Sequence, residues 1–118
     1  MQVSKQKVNT TLEKQLYHML FQLIADLKTP QEVEAVLRET LSDTELTTLN
    51  KRVAVAYWLS KGRSYSNIKD NLKVSSASIS DIQRALKRPG WKLALAKITA
   101  DEWATKWEQK IKELIGKK

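Results

Sequence analysis

Residues 64–87, SYSNIKDNLKVSSASISDIQRALK, decide how the chain folds. Two short amphipathic helices joined by a tight turn need apolar side chains at fixed offsets, because each helix must aim its stripe at the other and at a supporting helix. Ile68, Leu72, Val74, Ile79 and Ile82 stand at those offsets. Ile68 and Leu72 are one helical turn apart, Val74 plugs the turn, and Ile79 and Ile82 are three apart on the second helix. Ser75 can cap that second helix through its hydroxyl, with Ser76 as the alternative. The stretch reads as a helix-turn-helix.

The pattern departs from the usual one in two places. A small residue normally follows the first buried aliphatic and a glycine normally precedes the plug, but Lys69 and Lys73 stand there. A positive φ at Lys73 costs about 1 kcal/mol relative to glycine, which the turn can carry.

Outward from this stretch, charge separates the chain into halves. Residues 1–50 hold five Lys or Arg against seven Asp or Glu, whereas residues 51–118 hold sixteen against six. Between Lys51 and Lys97, eleven basic residues meet only Asp70 and Asp81. A docking motif inside a field of one sign is what binding a polyanion requires, since neutralised phosphates release condensed counterions. Lys117 and Lys118, at the terminus, read as a solvated surface.

The 118 residues suit one domain with one core. Without cysteine there is no disulfide framework, thiolate metal site or thiol nucleophile. Neither a secretory leader nor a long uncharged apolar run is visible, so a cytoplasmic protein without a membrane span is expected. No phosphate loop, metal-ligand cluster or nucleophile–base pair suggests an enzyme or a cofactor. His18, the single histidine, lies within an apolar helix and reads as an interface or surface residue.

In chain order, residues 1–9 read as a flexible arm and residues 10–118 as a single all-α domain. Thr10 and Glu13 suggest a capping box, and Leu12, Leu16, Met19, Leu20, Leu23, Ile24 and Leu27 repeat at helical spacing toward Lys28. With Tyr17 and Phe21 this helix is apolar on more than one face and needs cover on all sides. A second protomer supplies it, so a homodimer is expected, with residues 10–61 as its dimerisation helices; a central core helix in a monomer is the other way to cover it. Further boxes at Thr29–Glu32, with Pro30 first in its helix, and at Ser42–Glu45 start two more helices. The second carries Leu46, Leu49, Val53, Ala56, Tyr57 and Leu59 as candidate buried positions, and Gly62 closes it. Past residue 87, Pro89-Gly90 reads as punctuation. C-terminal helices follow over 91–115: a short apolar segment from Trp91 to Ile98, then a box at Thr99–Glu102 opening a last helix striped by Trp103, Trp107, Ile111 and Leu114. The tryptophans at i, i+4 suggest packing rather than base stacking.

From Leu41 to Leu86 the chain resembles the Trp repressor superfamily, more closely its compact YerC/YecD-type branch. The residues that carry the resemblance are the LSDTEL opening at 41–46, Lys51-Arg52-Val53, the WLSKG exit at 58–62, the helix-turn-helix, and RALKRPGW at 84–91. It implies an intertwined helical dimer that binds a palindromic operator in double-stranded DNA and represses transcription. In the tryptophan-switched member, an arginine that stacks on the indole matches Arg52, but the arginine that pairs with the ligand's carboxylate falls on Asp81 and a neighbouring glycine on Ile82. An aspartate repels the group that a bidentate arginine would bind. Tryptophan is therefore not the expected effector, any pocket should be filled by the protein's own side chains, and Arg52 should pair with Asp81 or with an acid of the partner chain.

For DNA, the exposed face of the second helix is Ser76, Ala77, Ser80, Asp81 and Arg84, with Ser75 at its mouth and Lys87 and Arg88 beyond. Ser76 and Ser80 suit base edges or phosphates, Ala77 a thymine methyl, and Arg84 a guanine or the backbone. Arg63, Lys69 and Lys73 suit phosphates. So thin a base-reading set implies reliance on water-mediated contacts and DNA shape. Two other readings of the same basic surface stay open: a protein-interaction adaptor for an acidic partner, and a nonspecific nucleic-acid binder.

Overall fold

The computed structural model describes residues 1–116, without the side chains of Trp107 and of residues 115 and 116. All regular structure in them is α-helical: α1 (Thr10–Asp26), α2 (Pro30–Thr40), α3 (Asp43–Ser60), α4 (Tyr65–Leu72), α5 (Ser76–Ala85) and α6 (Pro89–Gly116). The all-α expectation holds. The expected packing of Trp107 and the solvated Lys117 and Lys118 lie outside the described residues. The chain divides into two compact units, Met1–Leu46 and Thr47–Lys118.

In the first unit the caps are mostly where the sequence puts them. Asn9, rather than Thr10, caps α1: its Oδ1 accepts from the N–H groups of Thr11 at 2.9 Å and Leu12 at 3.3 Å. A short amide side chain one residue upstream reaches two of the unsatisfied first-turn donors, so Thr10 becomes the first helical residue. At α2, Thr29 Oγ1 accepts from Glu32 N–H at 3.1 Å, and Pro30 occupies the first turn, where no N–H is missed. The Glu32 carboxylate reaches one residue further back than a strict box, to Lys28 N–H at 3.1 Å. At α3 the box is reciprocal: Ser42 N–H donates to Glu45 Oε1 at 2.8 Å, and Glu45 N–H donates to Ser42 Oγ at 3.1 Å.

No residue of this unit is fully buried. On α1 the large apolar side chains from Leu12 to Ile24 are all exposed, with Met19 at 65% and Phe21 at 63%. Tyr17 and Phe21 stack on each other with ring centroids 5.8 Å apart.

The second unit holds the core. Val55, Ala56, Ile68 and Ile79 are the fully buried hydrophobic residues among those described, and Val55, Ile68 and Ile79 form one cluster. Trp58, Leu59, Leu72, Val74 and Ile82 pack around it. All five residues that define the helix-turn-helix in the sequence are therefore in the core or against it. On α3 the expected Ala56 is buried and Leu46, Val53, Tyr57 and Leu59 are half-buried, whereas Leu49 is exposed and Val55, not expected inside, is buried.

Backbone geometry closes the helices as their sequences dictate. Gly62, at φ 78°, ends α3 in a Schellman turn, with Arg63 N–H on Trp58 O at 3.2 Å and Gly62 N–H on Leu59 O at 3.0 Å. Lys73 adopts the left-handed conformation at φ 56°, ψ 54°, as a residue in the glycine place of the turn must. Ser75, not Ser76, caps α5 by accepting from Ser78 N–H at 3.1 Å.

The C-terminal region is one helix where two were expected. Pro89 opens α6 instead of separating it from a later element, and Thr99–Glu102 lies in its interior. A threonine and a glutamate three apart cap a helix only where the preceding turn lacks carbonyl acceptors. After Gly90 no glycine or proline interrupts the chain before Gly116, so those acceptors are present. Glu102 is used otherwise, pairing at 3.0 Å with Lys61, the residue that follows α3.

Two expectations follow. Replacing Lys73 by glycine relieves the left-handed strain and should raise stability by about 1 kcal/mol in urea unfolding. Hydrogen bonding from Ser42, first through its N–H and then through its hydroxyl, holds the Glu45 carboxyl below its ordinary value of 4.5. The stability that this contributes is complete above 4.5 and is lost as pH falls through the lower folded-state value. Ser42→Ala should therefore move Glu45 part of the way back up in an NMR titration.

Candidate nucleic-acid interface

The helix-turn-helix is held by its core and by two polar ties. Across the pair, Tyr65 at the start of α4 donates its hydroxyl hydrogen to Gln83 Oε1 on α5. From α3, Lys51 Nζ donates to the carbonyl of Lys73 at 3.2 Å, which anchors the left-handed turn. Neither tie is announced by the sequence, since their partners are 18 and 22 residues apart.

With Ile79 fully buried, the 100° step of the helix sends Ala77, Asp81 and Arg84 outward, and all three are exposed; Ser76, three residues before Ile79, is exposed because it is the first residue of the helix. Ser80, on the same side, is half-buried. These side chains do not all stand free. Ser75 Oγ is occupied by the α5 cap and donates to Ser78 Oγ at 2.9 Å. Arg84 bonds to Ser80 Oγ at 3.2 Å and forms an ion pair with Asp81. Lys87 and Arg88 are exposed in the short turn between α5 and α6.

The cations expected on phosphates divide in the same way. Lys69 on α4 and the side chain of Lys73 at the turn are exposed. Arg63 lies over the Trp58 ring, 4.1 Å from its centroid, and donates to Asn67 Oδ1 at 3.3 Å. A guanidinium stacked in this way still offers its outer N–H groups to an oxyanion.

In the region of Arg52 and Asp81, one of the two partners expected for Arg52 drops out and the space is open. No ion pair joins them: Asp81 takes Arg84 from its own helix, three residues on, where the two side chains meet without reaching across to another element. Nor is the space between them filled. A cleft of about 540 Å³ lies there, walled by Thr48, Lys51, Arg52 and Val55 of α3, the turn at Lys73–Ser75, Ser78, Asp81, Ile82 and Ala85 of α5, and Arg88 and Trp91. Ile82 forms part of the wall without occupying the interior. The volume falls in the usual range of small-molecule sites, and four cations with one carboxylate line it.

An all-helical module with a helix-turn-helix inside its basic half has the architecture of helix-turn-helix DNA-binding regulators. The Trp repressor protein family matches residues 15–99, and the chain belongs to that family. Among solved structures it is similar to a TrpR-like protein from Eubacterium eligens ATCC 27750, at 28% identity and a TM-score of 0.69, over 77% of this chain and 96% of that one. No curated protein matches the sequence. The part of α6 beyond Thr99 lies outside the family match. No helix among the described residues is long and apolar enough to cross a membrane, and none of their His, Cys, Asp and Glu side chains cluster as metal ligands.

Tyr65→Phe removes the tie between α4 and α5 and leaves Gln83 to solvent, so it should cost about 0.5 to 1.5 kcal/mol in chemical unfolding, with helicity by circular dichroism unchanged.

Proposed function

We propose that this chain is a sequence-specific transcriptional repressor that acts as a homodimer, reads double-stranded DNA with the outer face of α5, and does not respond to tryptophan. The observation that carries the reading is the division of α5 into two faces, Ile79 wholly inside and Ala77 and Arg84 outside, with Ser76 exposed at its first turn. That is the arrangement a helix needs in order to enter a major groove. Family membership and the basic half of the chain support it. In this reading Ser76, Ala77, Ser80 and Arg84 face bases, Arg63, Lys69, Lys73, Lys87 and Arg88 face phosphates, and Ser75 contributes by fixing the start of the helix.

The dimer is supported by α1, whose exposed leucines and aromatics form a surface too apolar to leave in water. A second copy buries it and sets two reading heads against successive half-sites. The tryptophan exclusion is supported by Asp81, which stands on the cleft wall at the place of the carboxylate-binding arginine and offers a ligand carboxylate no donor.

The test is a salt titration of binding to a duplex enriched from a random pool and to a shuffled duplex of the same length. A regulator keeps its preference at high salt, a nonspecific binder loses both complexes, and an adaptor binds neither. Lys69→Ala should weaken both complexes by similar factors and lower the salt slope by about 1. Calorimetry with L-tryptophan at millimolar concentration should give no saturable heat; a fitted isotherm refutes that part of the reading.

A further inference from the structure

Ser80, Asp81 and Arg84 converge on the outer face of α5. The Arg84 guanidinium donates through Nη2 to the Asp81 carboxylate and through Nη1 to Ser80 Oγ. The side chains of both charged residues stay in solvent, 71% exposed for Arg84 and 69% for Asp81, so their ion pair adds little to folding stability. Its consequence is geometric. An arginine engaged at two points is biased toward one orientation, and two of its remaining N–H groups can pair side by side with the two acceptors of guanine in the major groove.

The carboxylate acts on the DNA as well. A free arginine at this position is attracted to any phosphate it meets, whereas one sheathed by a carboxylate is held from the backbone by that negative charge. Opposite a base edge the same carboxylate meets no phosphate and accepts from a cytosine amino group. We infer that Asp81 is a specificity-determining residue, which positions Arg84 for base reading and lowers affinity for DNA of arbitrary sequence. The inference rests on the DNA-reading function proposed above. It gives the one acid on the reading face of this basic module a role there.

The experiment uses the full chain. Wild type enriches a preferred duplex from a random pool, and that duplex and a shuffled one are then titrated with wild type, Asp81→Ala, Asp81→Glu and Arg84→Ala, each checked for unchanged helicity. Asp81→Ala should bind the shuffled duplex several-fold more tightly and the enriched duplex no more tightly, lowering the preference about tenfold. Arg84→Ala should lower the preference comparably. Asp81→Glu, which keeps the charge and the reach to Arg84, should retain it. The inference is overturned if Asp81→Ala shifts both affinities by one factor, if Arg84→Ala leaves the preference intact, or if Asp81→Glu loses as much as Asp81→Ala. Failure of wild type to enrich any sequence removes the proposed function and this inference with it; enrichment with preference unchanged in the variants removes the inference alone.

Discussion

Burial of Ile79 against Ile68 and Val55 is the contact on which the second unit depends. It joins α3, α4 and α5 at one point, and the rest of the small core is arranged around it. Because a helix turns 100° per residue, fixing Ile79 inward fixes Ala77, Asp81 and Arg84 outward. The reading face is thus a consequence of the core. A β-branched side chain with few rotamers suits such a pivot, since it locks the rotation of α5.

The cations of the basic half are not a uniform field. Lys51 holds the turn, Lys61 pairs with Glu102 and lies 5.4 Å from the centre of the Tyr57 ring, Arg63 stacks on Trp58, and Arg84 is sheathed by Asp81. Lys69, Lys73, Lys87 and Arg88 are left on the surface of the helix-turn-helix and the turn after it. Charge counted along the chain measures the strength of the long-range attraction to a polyanion. Which cations make close contact is set by these local engagements.

The first unit differs in kind. Its helices are well capped, yet every one of its residues is at least partly open to solvent. Capping satisfies backbone groups and decides where helices begin, but contributes no apolar burial. The greasy surface of α1 is the part of the chain that most needs a neighbour.

Much of this was legible in the sequence because it is local. The 3.6-residue spacing of aliphatics, the serine, threonine and proline signals at helix starts, Gly62 at a helix end and the left-handed place of Lys73 are all settled within a few residues. Even the Asp81–Arg84 pair has a visible i, i+3 signal. Tertiary structure alone put Val55 in the core and left Leu49 outside. It also decided that Lys51 reaches a carbonyl 22 residues away and that an open cleft separates Arg52 from Asp81. The physical reason is that a pattern along one helix gives the angle between its side chains, whereas the partner each meets depends on how distant segments pack.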